Sequence, residues 1–221
     1  MVIGLDGTPG GWVAIALDDG SGHFVDAFVI KGVETDFARV SEADVIAVDI
    51  PIGFGPRQAD QLARKYLGSD RGRSVFTVPE KKVVVTALKQ PAFREGLGVN
   101  SQLYRIAPRI VHVTELATSR RRIAGKLREV HPEVSFQVMN DNEPLRYAKK
   151  TYGGVHERLR LLTDHGIRLD GLNEETRRLP IDDVLDAAAA AWSALRIKGG
   201  IARPFPDPPE QRERLRLAIW A

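Results

Sequence analysis

The N-terminal part of the chain alternates short apolar runs with glycine-rich turns. The apolar runs occupy residues 2–6, 12–17 and 23–30. Because strands joined by such short turns pair with their neighbours, this pattern predicts an antiparallel meander of three strands. Val45–Val48 is a continuous apolar run, typical of a fully buried strand, and residues 127–130 are expected to form a fifth strand.

Helical spacing of apolar residues appears mainly in the later part of the chain. It predicts helices at 57–67, 101–123, 156–165 and 182–195, and a short helix at 33–40. Pro108 should kink or interrupt the second of these helices. The stretch 69–99 mixes glycine, proline and basic residues, and we expect it to be partly irregular.

The order of these elements predicts an α/β fold. Three hairpin-linked strands followed by strand–helix alternation favour a mixed five-stranded sheet with helices on both faces. This order resembles that of the ribonuclease H-like fold. We expect one domain over residues 1–221, with an insertion at about 56–100.

Composition removes several kinds of site. The chain of 221 residues has no cysteine, which excludes disulfides, zinc-thiolate centres and cysteine nucleophiles. No apolar run reaches the roughly 18 residues that a membrane span requires. The chain opens on a strand-like run without a basic leader, so we expect no signal peptide, no membrane partner and a cytoplasmic location.

Basic residues are concentrated in two stretches. The net charge of +3 permits nucleic-acid binding without requiring it. Seven lysines and arginines lie between Arg57 and Lys82, and Arg120–Arg122 form a second group. Within the first stretch, Arg71 and Arg73 are the candidates for contact with a phosphate backbone. Such runs are equally often solvated faces.

Four carboxylates occupy positions that suit a metal site. Asp6 ends the first predicted strand and Asp49 ends the fourth, and active sites of open α/β sheets lie at the carboxyl ends of the strands. Asp183 and Asp186 are three apart and share one face of the last predicted helix. The four oxygen donors predict a Mg²⁺ or Mn²⁺ centre, in which two ions could hydrolyse a phosphodiester.

Each carboxylate also has a purely structural interpretation. Asp6-Gly7 is a common hairpin-turn dipeptide. Asp49 could cap the turn that begins at Ile50, and an acid in a first helical turn, such as Asp183, is favoured by the helix dipole. Asp186 lies deeper in its helix and fits this interpretation least well.

Several motifs together resemble a known protein family. They are Gly4-Leu5-Asp6-Gly7-Thr8-Pro9-Gly10-Gly11-Trp12, Val48-Asp49-Ile50-Pro51-Ile52-Gly53, Arg73-Ser74-Val75-Phe76, Glu129-Val130-His131-Pro132-Glu133-Val134-Ser135-Phe136 and Asp182-Asp183-Val184-Leu185-Asp186-Ala187. In this order they resemble a bacterial and archaeal family of unknown function that is described as predicted ribonuclease H-like nucleases. The resemblance implies the fold, and it implies nuclease activity by analogy.

The last motif also resembles the helix of RuvC-type Holliday-junction resolvases, whose final two metal ligands have the spacing of Asp183 and Asp186. The chain departs from these patterns in two places. Resolvases carry a glutamate where this chain has Asp49. The family's Gly-Leu-Ser-Lys-Gln segment reads here as residues 98–102, Gly-Val-Asn-Ser-Gln, so a lysine is absent.

Further candidates surround the predicted carboxylate site. His131 could be a metal ligand, a general base or a proton relay, or it could simply end its strand. Glu133 is expected to make an extra metal or water contact. Further along the chain, a glycine turn before a helix could bind phosphate through its backbone, assisted by Lys149, Lys150 and Arg158.

These features favour a metal-dependent nuclease that acts on DNA or RNA. One alternative is a nucleotide phosphotransferase or ATPase of the related actin-like fold, although a second phosphate-binding hairpin is missing. Another is a metal-binding or interaction module without catalysis. Nucleic acid is the expected partner, and a homodimer remains open.

Overall fold

The computed structural model describes residues 1–33, 37–119 and 121–221, and in this part of the chain one mixed sheet is flanked by helices. The strands are β1 (Val2–Thr8), β2 (Gly11–Leu17), β3 (Phe24–Lys31), β4 (Val45–Val48), β5 (Leu127–Val130), β6 (Pro204–Arg212) and β7 (Leu215–Trp220). The helices are α1 (Gln58–Arg71), α2 (Lys81–Lys89), α3 (Ser101–Ser119), α4 (Arg121–Ala124), α5 (Pro132–Met139), α6 (Tyr152–Asp164), α7 (Glu174–Arg177) and α8 (Ile181–Lys198).

The sheet has the strand order β3-β2-β1-β4-β5-β7-β6. The first three strands form the predicted antiparallel meander, and β4, β5 and β7 run parallel to β1. All five predicted strands are present. The prediction of a five-stranded sheet is nevertheless wrong, because β6 and β7 add an antiparallel hairpin beyond β5.

Helices cover both faces of the sheet, as the sequence predicts. On one face, alternate residues of β1 such as Ile3 and Leu5 pack against the apolar stripe of α3. On the other face, Val2 and residues of β2 pack against α5, α6 and the alanine-rich α8. No described helix combines the length and the apolar character needed to cross a bilayer.

The central part of the chain is more helical than its composition indicates. Residues 69–99, expected to be partly irregular, contain the end of α1 and all of α2. Gly68 has a φ of 74°, which interrupts α1 where the sequence predicts the helix to end. The predicted helix at 33–40 is a 3₁₀ turn at Ala38–Val40, while residues 34–36 lie outside the described residues.

The contact between β1 and α8 positions the candidate site. A Cβ atom at Gly4 would lie 2.1 Å from the backbone nitrogen of Ala191 and 2.2 Å from the carbonyl oxygen of Ala187. Only glycine therefore allows this approach, and the small side chains of α8 allow it from the other side. The N-terminal half of α8 is consequently fixed beside the carboxyl end of β1.

Candidate metal centre

Asp6 and Asp49 lie on neighbouring parallel strands at the same edge of the sheet. Leu5 pairs with Val48 in the register of β1 and β4, so the residue that follows each of them reaches the carboxyl edge. The backbone N–H of Asp49 donates to the carbonyl of Leu5 over 2.9 Å, which continues the pairing to that point. The two carboxylates are thus positioned by the most central part of the fold.

Asp186 approaches the same point from α8. It is 2% exposed, and one carboxylate oxygen from each of Asp6, Asp49 and Asp186 lies within 4.8 Å of the others, a spacing that could hold a metal ion. We refer to these three residues as the carboxylate cluster. Asp183, one turn earlier in α8, is only half-buried and is not a member of it, although its charge contributes to the raised pKa of Asp6.

The carboxylate cluster is short of positive charge. Burial, and then the neighbouring carboxylates, raise the pKa of Asp6 well above its usual range. Burial is also the main cause that raises the pKa of Asp49 and of Asp186 to about 7. At neutral pH the cluster therefore retains protons that ordinary carboxylates would have lost.

Lys149 is the cation in direct contact with the cluster. Its Nζ lies 2.6 Å from Oδ2 of Asp186, and this ion pair contributes to a raised pKa of Lys149 despite its burial. The other oxygen of Asp186, Oδ1, is buried and has no hydrogen-bond partner. A buried acceptor without a partner is rare in folded proteins and marks a position where an ion or a water molecule could bind.

The cluster opens into a cavity of about 560 Å³. Its walls come from the carboxyl ends of β1, β4 and β5, from the end of α1 and the turn after it, and from the segment before α6. Lys149 and Lys150 lie on one side, and Arg71, Ser74 and His131 also line the cavity. This volume matches the size of pockets that hold small ligands or part of a larger one.

His131 presents an uncharged imidazole to this cavity. Burial lowers its pKa, so the ring is neutral at neutral pH. Its Nε2 lies 3.4 Å from the hydroxyl of Ser74, and its Nδ1 is buried without a partner. A neutral imidazole with an unpaired nitrogen can accept or donate a proton, or bind a metal ion.

Glu133 lies in the cavity wall, but its charge is already paired. Its Oε1 accepts a hydrogen bond of 2.6 Å from Arg158, and Arg71 lies 3.9 Å from its other oxygen. The extra metal contact expected of Glu133 would require this pairing to break.

One of the expected substrate contacts needs correction, and a second has an additional structural role. Arg158 is 1% exposed and holds Glu133, so it has no surface for a phosphate. Arg71 lines the cavity, but its guanidinium donates to the carbonyls of Leu145 and Tyr147 and supports the segment that carries Lys149.

Lys150 and Arg73, the other cations predicted to contact the substrate, are exposed. Lys150 is 78% exposed and lies 3.5 Å from Asp182, at the edge of the cavity. Arg73 is exposed but lines a separate shallow depression on α1. In the second basic group, Arg120 and the side chain of Arg121 lie outside the described residues.

Some residues around the site were not predicted from the sequence. Arg57 is 2% exposed and pairs with Asp60 and with both oxygens of Glu129. The carboxylate of Glu129 also accepts a hydrogen bond from the backbone N–H of Ile52. Arg109 donates to the carbonyls of Thr8 and Gly11 and supports the turn after β1. The spacing of Arg57 and Asp60 was the available signal, since residues three apart on a helix can pair.

Fold and site together define a mixed α/β protein whose buried carboxylate cluster could hold a metal ion at the carboxyl edge of the sheet. Over residues 4–211 the chain matches the family described as "Protein of unknown function (DUF429)", and it belongs to that family. This confirms the resemblance to a family of unknown function. Neither a curated protein nor a solved structure gives a significant match.

Proposed function

We propose that this protein is a metal-dependent nuclease of ribonuclease H-like fold that hydrolyses phosphodiester bonds of DNA or RNA. The observation that carries the proposal is the convergence of Asp6, Asp49 and Asp186 at the carboxyl ends of two central parallel strands. The order β3-β2-β1-β4-β5, in which only β2 is reversed, supports the ribonuclease H-like fold that the sequence order of the elements favours.

The donors of the carboxylate cluster fit a hard divalent ion. They are all carboxylate oxygens, as Mg²⁺ and Mn²⁺ prefer, and Oδ1 of Asp186 has no partner in the protein. The raised pKa values of all three carboxyls indicate that additional positive charge would be stabilising here. A bound Mg²⁺ or Mn²⁺ would supply a nucleophilic water at neutral pH and neutralise charge on the phosphate.

Residues of the chain itself would complete the reaction. Hydrolysis adds water to phosphorus and breaks one phosphorus–oxygen ester bond, so one proton must leave the water and one must reach the leaving oxygen. His131 faces the same cavity as an uncharged imidazole and is the candidate for one of these transfers. Lys150, exposed at the cavity edge, is the candidate for contact with the backbone of a substrate.

The cavity itself favours a second candidate function, hydrolysis or transfer on a small phosphorylated molecule such as a nucleotide. Its volume of about 560 Å³ would enclose a ligand of this size, whereas a duplex would have to stay outside. The same carboxylates and cations would serve either substrate.

Cleavage assays with purified protein test both candidates. Labelled single-stranded, duplex and branched DNA and RNA, and free nucleotides in parallel, are incubated with Mg²⁺, with Mn²⁺ or with EDTA. We expect metal-dependent cleavage of a nucleic acid that Asp186→Asn lowers at least a hundredfold while binding is largely retained. Asp44→Asn, which replaces an exposed acid at the opposite end of β4 from Asp49, is the matched control and should keep full activity.

Cleavage that survives in Asp186→Asn would indicate a contaminating nuclease. Metal-dependent turnover of nucleotides alone would favour the second candidate. If the wild-type protein turns over neither kind of substrate with either metal, both candidates are wrong.

A further inference from the structure

Lys149 has the position of a cation that belongs to the carboxylate cluster. Its Nζ contacts Asp186 at 2.6 Å, and its charge also acts on Asp6 and Asp49. It thus compensates all three members of the cluster. Its neighbour Lys150 points to Asp182 instead and is 78% exposed.

The segment that carries Lys149 is held in place from both ends. Arg71 donates to the carbonyls of Leu145 and Tyr147, with distances of 3.2 and 2.6 Å. The carboxylate of Glu157 accepts from the backbone N–H groups of residues 146 and 147, and the side chain of Thr151 caps α6 by accepting from the N–H of Gly154. The ammonium is therefore presented to the cluster by a fixed backbone.

A fourth carboxylate for a second metal ion is not in place. Asp183 lies outside the cluster and is half-buried, and Glu133 is engaged by Arg158. The three carboxylates of the cluster carry at most three negative charges, which one divalent ion and one ammonium balance. A second divalent ion would leave excess positive charge in a buried site, which is unfavourable.

We propose that the site holds a single divalent ion and that Lys149 takes the place of the second one. Asp6, Asp49 and the unpartnered Oδ1 of Asp186 would hold the ion, while Oδ2 of Asp186 stays on the ammonium. The ion and the ammonium would together supply the positive charge that attracts a phosphate group of the substrate. This inference rests on the proposed metal-dependent function and deepens it.

Isothermal titration calorimetry with Mn²⁺ at neutral pH measures the number of ions directly. We expect one ion per chain for the wild-type protein and for Lys149→Arg, which keeps the positive charge. Lys149→Met should still bind one ion, because no fourth carboxylate is in place for a second, but it should bind that ion about tenfold more tightly, since the neighbouring positive charge has been removed. Lys150→Met is the matched control, and its stoichiometry should equal that of the wild type.

The outcomes separate this inference from the proposed function. Two ions on the wild-type protein would overturn the single-ion site while leaving a metal-dependent function intact. No ion on the wild type or on any variant would overturn both. An unchanged Mn²⁺ affinity of Lys149→Met, in a variant whose circular dichroism spectrum shows that it is folded, would also refute the proposal, because the ammonium would then not share the charge of the cluster with the ion.

Discussion

The replacement Asp49→Asn tests the electrostatics of the carboxylate cluster. Burial raises the pKa of Asp49 from its ordinary value of 3.8 to about 7. Consider a carboxyl whose pKa is higher in the folded than in the unfolded state. Its contribution to stability is fully present when the pH is below the pKa of the unfolded state, and it is lost as the pH rises through the pKa of the folded state. The metal-free protein should therefore lose stability between about pH 4 and pH 7 as Asp49 ionises.

The size of this loss follows from the two pKa values. The difference between 3.8 and about 7 corresponds to about 4 kcal/mol above pH 7, at about 1.4 kcal/mol per pH unit. The titration of Asp49 is coupled to that of Asp6 and Asp186. Removing the charge of Asp49 therefore recovers only part of this free energy. At pH 8 we expect Asp49→Asn to unfold with a free energy about 1–3 kcal/mol higher than the wild type, or a melting temperature higher by about 3–10 °C.

Thermal unfolding followed by circular dichroism, in EDTA at pH 5 and at pH 8, measures this gain. The gain should be present at pH 8 and much smaller at pH 5, where the wild-type carboxyl is already protonated. Millimolar Mg²⁺ or Mn²⁺ should raise the melting temperature of the wild type by mass action and should raise that of Asp49→Asn less.

Asp44→Asn is the matched control for this experiment. A hydrogen bond with the N-terminal ammonium lowers the pKa of Asp44, so its removal should give no gain at pH 8. An Asp49→Asn variant that is less stable than the wild type at pH 8, or equally stabilised at both pH values, would refute the electrostatic reasoning. An unchanged metal response would count against Asp49 as a ligand.

Three further predictions concern packing, buried charge and substrate binding. Gly4→Ala should lower the free energy of unfolding by more than about 3 kcal/mol or prevent soluble expression, because its Cβ would lie 2.1 Å from the backbone of α8; an unaltered melting temperature would contradict that contact. Arg158→Met should lower the stability in urea denaturation by up to about 3–5 kcal/mol, since it leaves the buried Glu133 with only Arg71 at 3.9 Å, and a loss below about 1 kcal/mol would show that the pair is unimportant. Arg73→Ala combined with Lys150→Ala should flatten the slope of log K against log salt in fluorescence anisotropy by roughly one to two, and an unchanged slope would exclude both side chains from a nucleic-acid interface.

The strands and the positions of two carboxylates were predictable because local rules determine them. Apolar runs and glycine turns define β1 to β4, and Asp6 and Asp49 each follow such a run directly. Their proximity then required only that β1 and β4 be parallel neighbours, which they are. The alanines of α8 allow close packing on the sheet, and Gly4 accepts it.

The last two strands were not predictable by the same rules. β6 contains four prolines, which a central strand excludes because proline has no N–H to donate. Its place explains the exception, since β6 is the edge strand of the sheet. The partner strand β7 was not recognised because arginines lie around its apolar residues. Its place in the sheet becomes evident only from its pairing with β5.

Buried ion pairs are the other feature that the sequence concealed. Arg57 and Arg158 are basic residues in segments that suggested a solvated or phosphate-binding surface, yet both are buried. Their partners, Glu129 and Glu133, are 72 and 25 residues away along the chain. Local spacing carries no information about such pairs, so a run of basic residues overstates the positive surface of this protein.

The two oxygens of Asp186 connect the separate observations at the site. Oδ2 is satisfied by Lys149, whereas Oδ1 is buried and unpartnered. Burial, together with the neighbouring carboxylates, favours the protonated forms and raises the pKa values of Asp6 and Asp186. One divalent ion would satisfy the free oxygen and replace those protons at once. Under the proposed function, a metal-bound state would account for the unpaired oxygen, the retained protons and the position of the fixed lysine together.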